Sequence, residues 1–186
     1  MEWLTEHRIP LGRWIANGVD ALNARASGVF DAIADGLDWL IEGVIDGLLW
    51  LHPLAAIALF AAFVFVLHRS WRLPFGLVLA FLLILNLDYW DETIETLALV
   101  LLATFFCMVI GVPLGIAAAH RGWLYTGLRP ILDLMQTIPT FVYLIPTLIL
   151  FGLGVVPGLI STIIFAIPAP IRLTHLGISS VPTQLK

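Results

Sequence analysis

Lysine is almost missing from this sequence: one occurs, Lys186, and it is the last residue. A G-x-x-x-x-G-K-[ST] phosphate loop needs an internal lysine, so ATP hydrolysis by that route is excluded. Cysteine is equally scarce. Cys107 stands alone in an apolar run, which rules out an intrachain disulfide and a cysteine zinc site and reads as a small buried hydrophobe. Five histidines, at 7, 52, 68, 120 and 175, share no metal-ligand spacing. No metal and no resident cofactor are expected. No Ser-His-Asp set or pair of inward carboxylates is visible, and no enzyme is expected. Charged residues make up only 12% of the 186, against about 25% in a soluble domain, too few to cover a water-facing surface. The net charge of −4 argues against a nucleic-acid binder, which carries a basic patch. No basic stretch precedes a short apolar run near Met1, so no cleaved signal peptide is expected.

What is present is hydrophobic: 60% of the residues. An all-α integral membrane protein follows, and the length suits about five spans at roughly 20 residues each. Residues 1–50 differ from the rest. They hold eight acids and three bases, a net −5, whereas 51–186 hold five acids and six bases, a net +1. Asp31, Asp35, Asp38, Glu42 and Asp46 step by three or four, which places them on one helical stripe with Asn17 and Asp20. Phe30, Ile33, Leu37, Leu40, Ile41, Val44 and Leu48 lie opposite. The pattern predicts an amphipathic helix over about 14–50, bent at Gly28, Gly36, Gly43 and Gly47, too polar to span. Its acidic face reads as a solvated one.

Five apolar segments follow, at 54–67, 73–87, 96–119, 131–153 and 159–176. The loops at 68–72 and 120–130 carry arginine and histidine and no acid, while 88–92 carries three acids. The positive-inside rule therefore places 68–72, 120–130 and the C-terminus in the cytoplasm, and the N-terminal helix, 88–95 and 154–158 outside. The expected organisation is an extension over 1–50, two added helices over 51–90 and a main membrane domain over 91–186.

Gly111 and Gly115 are spaced as in a small-xxx-small helix contact, with Pro113 between them favouring a kink. Residues 133–146 put Asp133, Gln136, Thr137, Thr140, Tyr143, Pro139 and Pro146 inside or beside an apolar segment. Polar groups at that depth are costly unless paired or wet. Lining a pathway and gluing helices together are both open readings. Pro168 and Pro170 are two apart and disrupt regular helix. Arg172 and His175 read as residues at the inner interface, and Asp133 as a lone acid.

Three blocks taken in order carry a resemblance: 129–146, 151–158 and 163–174, the last followed by Leu176-Gly177-Ile178 and Val181-Pro182. Together they resemble the permease subunit of glycine betaine/proline betaine ABC transporters, closely over 91–186. The resemblance implies a type I importer (MetI-like) helical bundle that forms a homodimer. It implies uptake of a quaternary ammonium osmolyte, such as glycine betaine, proline betaine, choline, carnitine or trimethylamine N-oxide. It also implies a bacterial inner-membrane location, an external substrate-binding protein, and a separate ATPase subunit that consumes ATP and Mg. Under it, Met135, Gln136, Thr137, Thr140, Phe141 and Tyr143 line or gate the pathway, and Pro113, Pro139, Pro146, Pro168 and Pro170 shape the helices. Arg172, Gly177 and Pro182 lead towards a coupling element with an E-A-A…G pattern. That pattern does not occur before Lys186, so a bundle incomplete at its C-terminus is expected.

Overall fold

The computed structural model describes residues 11–181, and all its regular elements there are helices. They are α1 (Leu11–Leu49), α2 (Pro53–His68), α3 (Arg72–Asn86), α4 (Trp90–His120), α5 (Gly122–Thr137), α6 (Thr140–Phe151), α7 (Val155–Ala166) and α8 (Pro168–Ser179). Pro182, expected to lead into a coupling element, lies outside the described residues. The chain divides into two compact units. One is Trp39–Phe105; the other comprises the described residues before and after it. Both boundaries fall inside helices, α1 and α4.

Helix α1 runs unbroken through all four glycines expected to bend it. Asp31, Asp35, Asp38, Glu42 and Asp46 are exposed, and Ile41 is buried. Ile33 departs from its side of the pattern, being 44% exposed. Within its own unit α1 is fastened at two points. The Asn23 side-chain amide donates to the Ile149 carbonyl at 3.4 Å, and Phe30 meets the Phe151 ring edge to face at 5.4 Å.

In the Trp39–Phe105 unit, α2 packs antiparallel to α3. Arg69 closes α2 in the left-handed conformation, its N–H bonded to the Phe65 carbonyl. Phe65 then lies against Trp71 at 4.5 Å. Helices α2 and α3 have 16 and 15 residues, short of the roughly 20 needed to span. Among the described residues, two helices are long and apolar enough to cross a membrane: Trp90–His120, and Val155–Ser179 counted through the α7–α8 junction. Two bent pairs raise the number to four if each is one span. Five separate straight spans are therefore not what forms.

The proline-rich segments explain the difference. Ile138 and Pro139 are both extended, with ψ 130° and 139°, as a residue before proline favours. Pro139 has no N–H to return to the Met135 carbonyl. Helix α5 stops there, and α6 leaves at 94° to it. The expected single segment at 131–153 is thus an elbow between two helices. Pro146 and Pro113, by contrast, sit inside continuous helices. At the second proline pair, Ile167 keeps right-handed helical angles, and its N–H bonds the Ile163 carbonyl at 2.9 Å. Pro168 and Pro170 then occupy the first turn of α8, where missing N–H groups cost little. They start a helix where disruption was expected.

Candidate functional site

The site is assembled from α4 to α8, within the unit that holds residues 106–181. Helices α6 and α7 form a tight hairpin. Its turn, Gly152-Leu153-Gly154, has φ of 80° at Gly152 and 154° at Gly154, angles that side-chain-bearing residues rarely adopt. Polar groups hold the hairpin together. Thr147 and Ser161 are 6% and 5% exposed, with their oxygens 3.0 Å apart. Ser161 also donates to the Pro157 carbonyl at 2.7 Å. Val156, Pro157 and Leu159 complete the buried face.

The glycines of α4 meet α8. A Cβ on Gly111 would lie 2.7 Å from the Pro170 ring. One on Gly115 would lie 2.7 Å from both the Ile171 carbonyl and the Thr174 Cβ. Only glycine permits this crossing, as the small-xxx-small spacing suggests. Cys107, one turn earlier, is buried, its thiol 3.7 Å from the Ile163 carbonyl.

The elbow gathers several of the expected residues. The Leu134 carbonyl accepts from the Ile138 N–H at 3.1 Å, the Thr137 hydroxyl at 3.1 Å and the Tyr143 phenol at 3.3 Å. Thr137 and Tyr143 therefore tie α6 back to the last turn of α5. Met135 is half-buried and Gln136 exposed on that turn. Thr140 and Phe141 lie beyond the elbow, in an open cleft of ≈220 Å³. Leu144 of α6 and Gly158, Ser161, Thr162 and Phe165 of α7 share it. The expected set thus divides: two members line the cleft, two hold the elbow, and Met135 and Gln136 occupy the end of α5.

Contacts distant in sequence were invisible to spacing. Asp133, the only acid between 96 and 186, has a basic partner: Arg172 donates to its carboxylate at 2.5 Å. The pair bridges α5 to α8, with side chains 52% and 33% exposed. His175 stacks on Tyr125, ring centroids 3.5 Å apart and planes 3° from parallel. Arg172 and His175, expected at an interface, thus both bind α5. Gly177 has nothing within 4 Å of where a Cβ would be. Ser161, Thr162 and Phe165 escaped the sequence reading as well. The glycine turn was the signal that could have found them. It fixes an antiparallel register, in which the start of α6 faces the end of α7.

The glycine crossing, the elbow and the cleft all fall in one matched region. Residues 111–186 match the family model described as binding-protein-dependent transport system inner membrane component. Similarity to curated proteins extends further. The glycine betaine transport system permease protein OpuAB of Bacillus subtilis (strain 168) is 43% identical over 178 residues, 96% of this chain and 63% of its own. The glycine betaine/carnitine transport permease protein GbuB of Listeria monocytogenes serotype 1/2a (strain 10403S) is 41% identical, covering 95% of this chain and 64% of its own. The glycine betaine/proline betaine transport system permease protein ProW of Escherichia coli (strain K12) is also 41% identical, covering 95% and 50%. The chain thus spans between half and about two thirds of the length of these relatives. Residues 111–186 thus match the inner membrane components of binding-protein-dependent transport systems, and the chain is similar to permeases over nearly all its length.

Proposed function

We propose that this sequence forms the membrane pathway of an ABC importer for glycine betaine, proline betaine or a related quaternary ammonium compound. The observation that carries the reading is identity of 41–43% with three such permeases across 95–96% of the chain. Trimethylamine N-oxide stays within the substrate class, because a permease for it in Ruegeria pomeroyi (strain ATCC 700808 / DSM 15171 / DSS-3) is 30% identical over 82% of the chain. Energy comes from a separate ATPase subunit that uses ATP and Mg, in keeping with the lack of a phosphate loop in these 186 residues. An external binding protein delivers the osmolyte, and a second permease copy completes the pathway. The assembly sits in a bacterial inner membrane with the acidic N-terminal helix outside and the arginine-bearing loops inside, as charge asymmetry favours.

Mechanistically, the elbow supplies the broken helix that alternating access needs. Irregular backbone at membrane depth is tolerated where it is buried in protein or lines water. The elbow satisfies this with side-chain ties and a neighbouring cleft. Met135, Gln136, Thr137, Thr140, Phe141 and Tyr143 line or gate the path, Pro113, Pro139, Pro146, Pro168 and Pro170 shape its walls, and Arg172 and Gly177 lead from α8 towards the ATPase.

The test uses the full-length gene product. Purified from its native membrane, it should bring down an ATPase containing a phosphate loop. Reconstituted with its binding protein, it should import glycine betaine only when ATP is inside the ATPase compartment. Uptake driven by a sodium or proton gradient without ATP would instead establish a secondary transporter, and an absence of any ATPase would favour a scaffold.

A further inference from the structure

We propose that the cleft between α6 and α7 is a transit site for the cationic headgroup, with Phe141 and Phe165 as its aromatic walls. The inference rests on the quaternary ammonium reading above and assigns that substrate a contact on this chain. Phe141 stands on the first turn of α6 and Phe165 on the last turn of α7, and both line the same ≈220 Å³ opening. The two residues are 75% and 42% exposed, which leaves them accessible to a ligand.

The remaining polarity of the cleft is uncharged: the hydroxyls of Thr140, Ser161 and Thr162. Ser161 donates to the Pro157 carbonyl at 2.7 Å, and Thr162 donates to the Gly158 carbonyl at 2.8 Å. With its proton committed, the Thr162 hydroxyl offers lone pairs, while Ser161, 5% exposed, is taken up by Pro157 and Thr147. Ring faces are also electron-rich. No Lys, Arg, Asp or Glu is among the lining residues. Such a cleft attracts a cation but supplies no carboxylate to neutralise it. A metal ion or a primary ammonium, strongly hydrated, loses too much water on entering. A quaternary ammonium has no N–H to satisfy and spreads its charge over methyl groups, which is the cation that aromatic faces hold best. Weak holding suits a transit site, because the substrate must leave again.

The decisive experiment places mono-, di- and trifluorophenylalanine at 141 and at 165 in the full-length transporter. Uptake of radiolabelled glycine betaine is measured with saturating binding protein. Fluorine drains the ring face with little change in volume, so kcat/KM should fall stepwise with each fluorine. Phe141→Leu and Phe165→Leu should lower it roughly 2- to 30-fold, the range of one cation–π contact. Phe→Tyr at either site should retain most of the uptake. Fluorinated variants that assemble with the ATPase and import at the wild-type rate would overturn the proposal. So would an equal loss at every degree of fluorination, which marks a packing role. Wild-type protein that imports no quaternary ammonium at all would remove the substrate reading itself, and with it this site.

Discussion

Helix α8 is held on two flanks by opposite means. Towards α4 the contact is steric: backbone and a proline ring press where Gly111 and Gly115 leave no side chain. Towards α5 it is polar: the Asp133–Arg172 pair and the Tyr125–His175 stack. A steric crossing has one fitting geometry, since packed interfaces tolerate little displacement. A part-exposed ion pair forms and breaks at small cost. The comparison suggests that α8 travels with α4 and parts from α5.

The glycine flank should give the largest effect. Gly115→Leu drives a side chain into the Ile171 carbonyl, which cannot rotate away. Overpacking costs about 1–3 kcal/mol and more where backbone must move. The folding equilibrium constant of the full-length protein, measured by chemical denaturation, should fall by at least roughly tenfold, the equivalent of about 1.4 kcal/mol. Gly111→Ala should be milder, near the lower end of that range, because its Cβ meets the ring of Pro170 rather than backbone. If both variants were as stable as wild type, the steric flank would not be rigid and the contrast would collapse.

The two flanks also differ in how far the sequence announces them. Four-residue spacing marks Gly111 and Gly115 as a helix contact, and Pro139 after Ile138 marks a place where helix is disfavoured. Local chemistry is enough for both. Pro168 looks the same in sequence, yet Ile167 stays helical; packing of Pro168 and Ile171, both buried, overrides the local preference. The α5 flank had no local signal. Asp133 and Arg172 are 39 positions apart, and nothing in either segment's periodicity names the other. Ser161 and Phe165 were hidden likewise, since the cleft exists only once the hairpin turn fixes which residues of α6 and α7 face each other.

The α6–α7 hairpin separates polarity from exposure as the reason for a weak flank. Thr147 and Ser161 are polar like the α5 flank but buried like the α4 one. Replacing both, Thr147→Val with Ser161→Ala, should cost about 1 kcal/mol, the usual net worth of such a bond. Chemical denaturation of the purified full-length protein would measure it. A loss as large as that at Gly115 would mean that polarity alone does not make a contact weak.

The smallest expected effect is at Asp133. With side chains 52% and 33% exposed, the pair should contribute no more than about 1 kcal/mol. Asp133→Asn and Arg172→Gln, alone and together, form a double-mutant cycle that isolates the coupling from each variant's other effects. The coupling should shrink further between low and high salt, because charges near water are screened within about 10 Å at 0.1 M. The alternative has a different signature. If the exposed part of Asp133 faced lipid rather than water or headgroups, an unpaired partner would be stranded in a poor solvent. Removing either residue would then cost several kcal/mol, as for buried pairs, and salt would change little. That result would make the α5 flank as rigid as the glycine crossing, and α8 would be clamped rather than hinged.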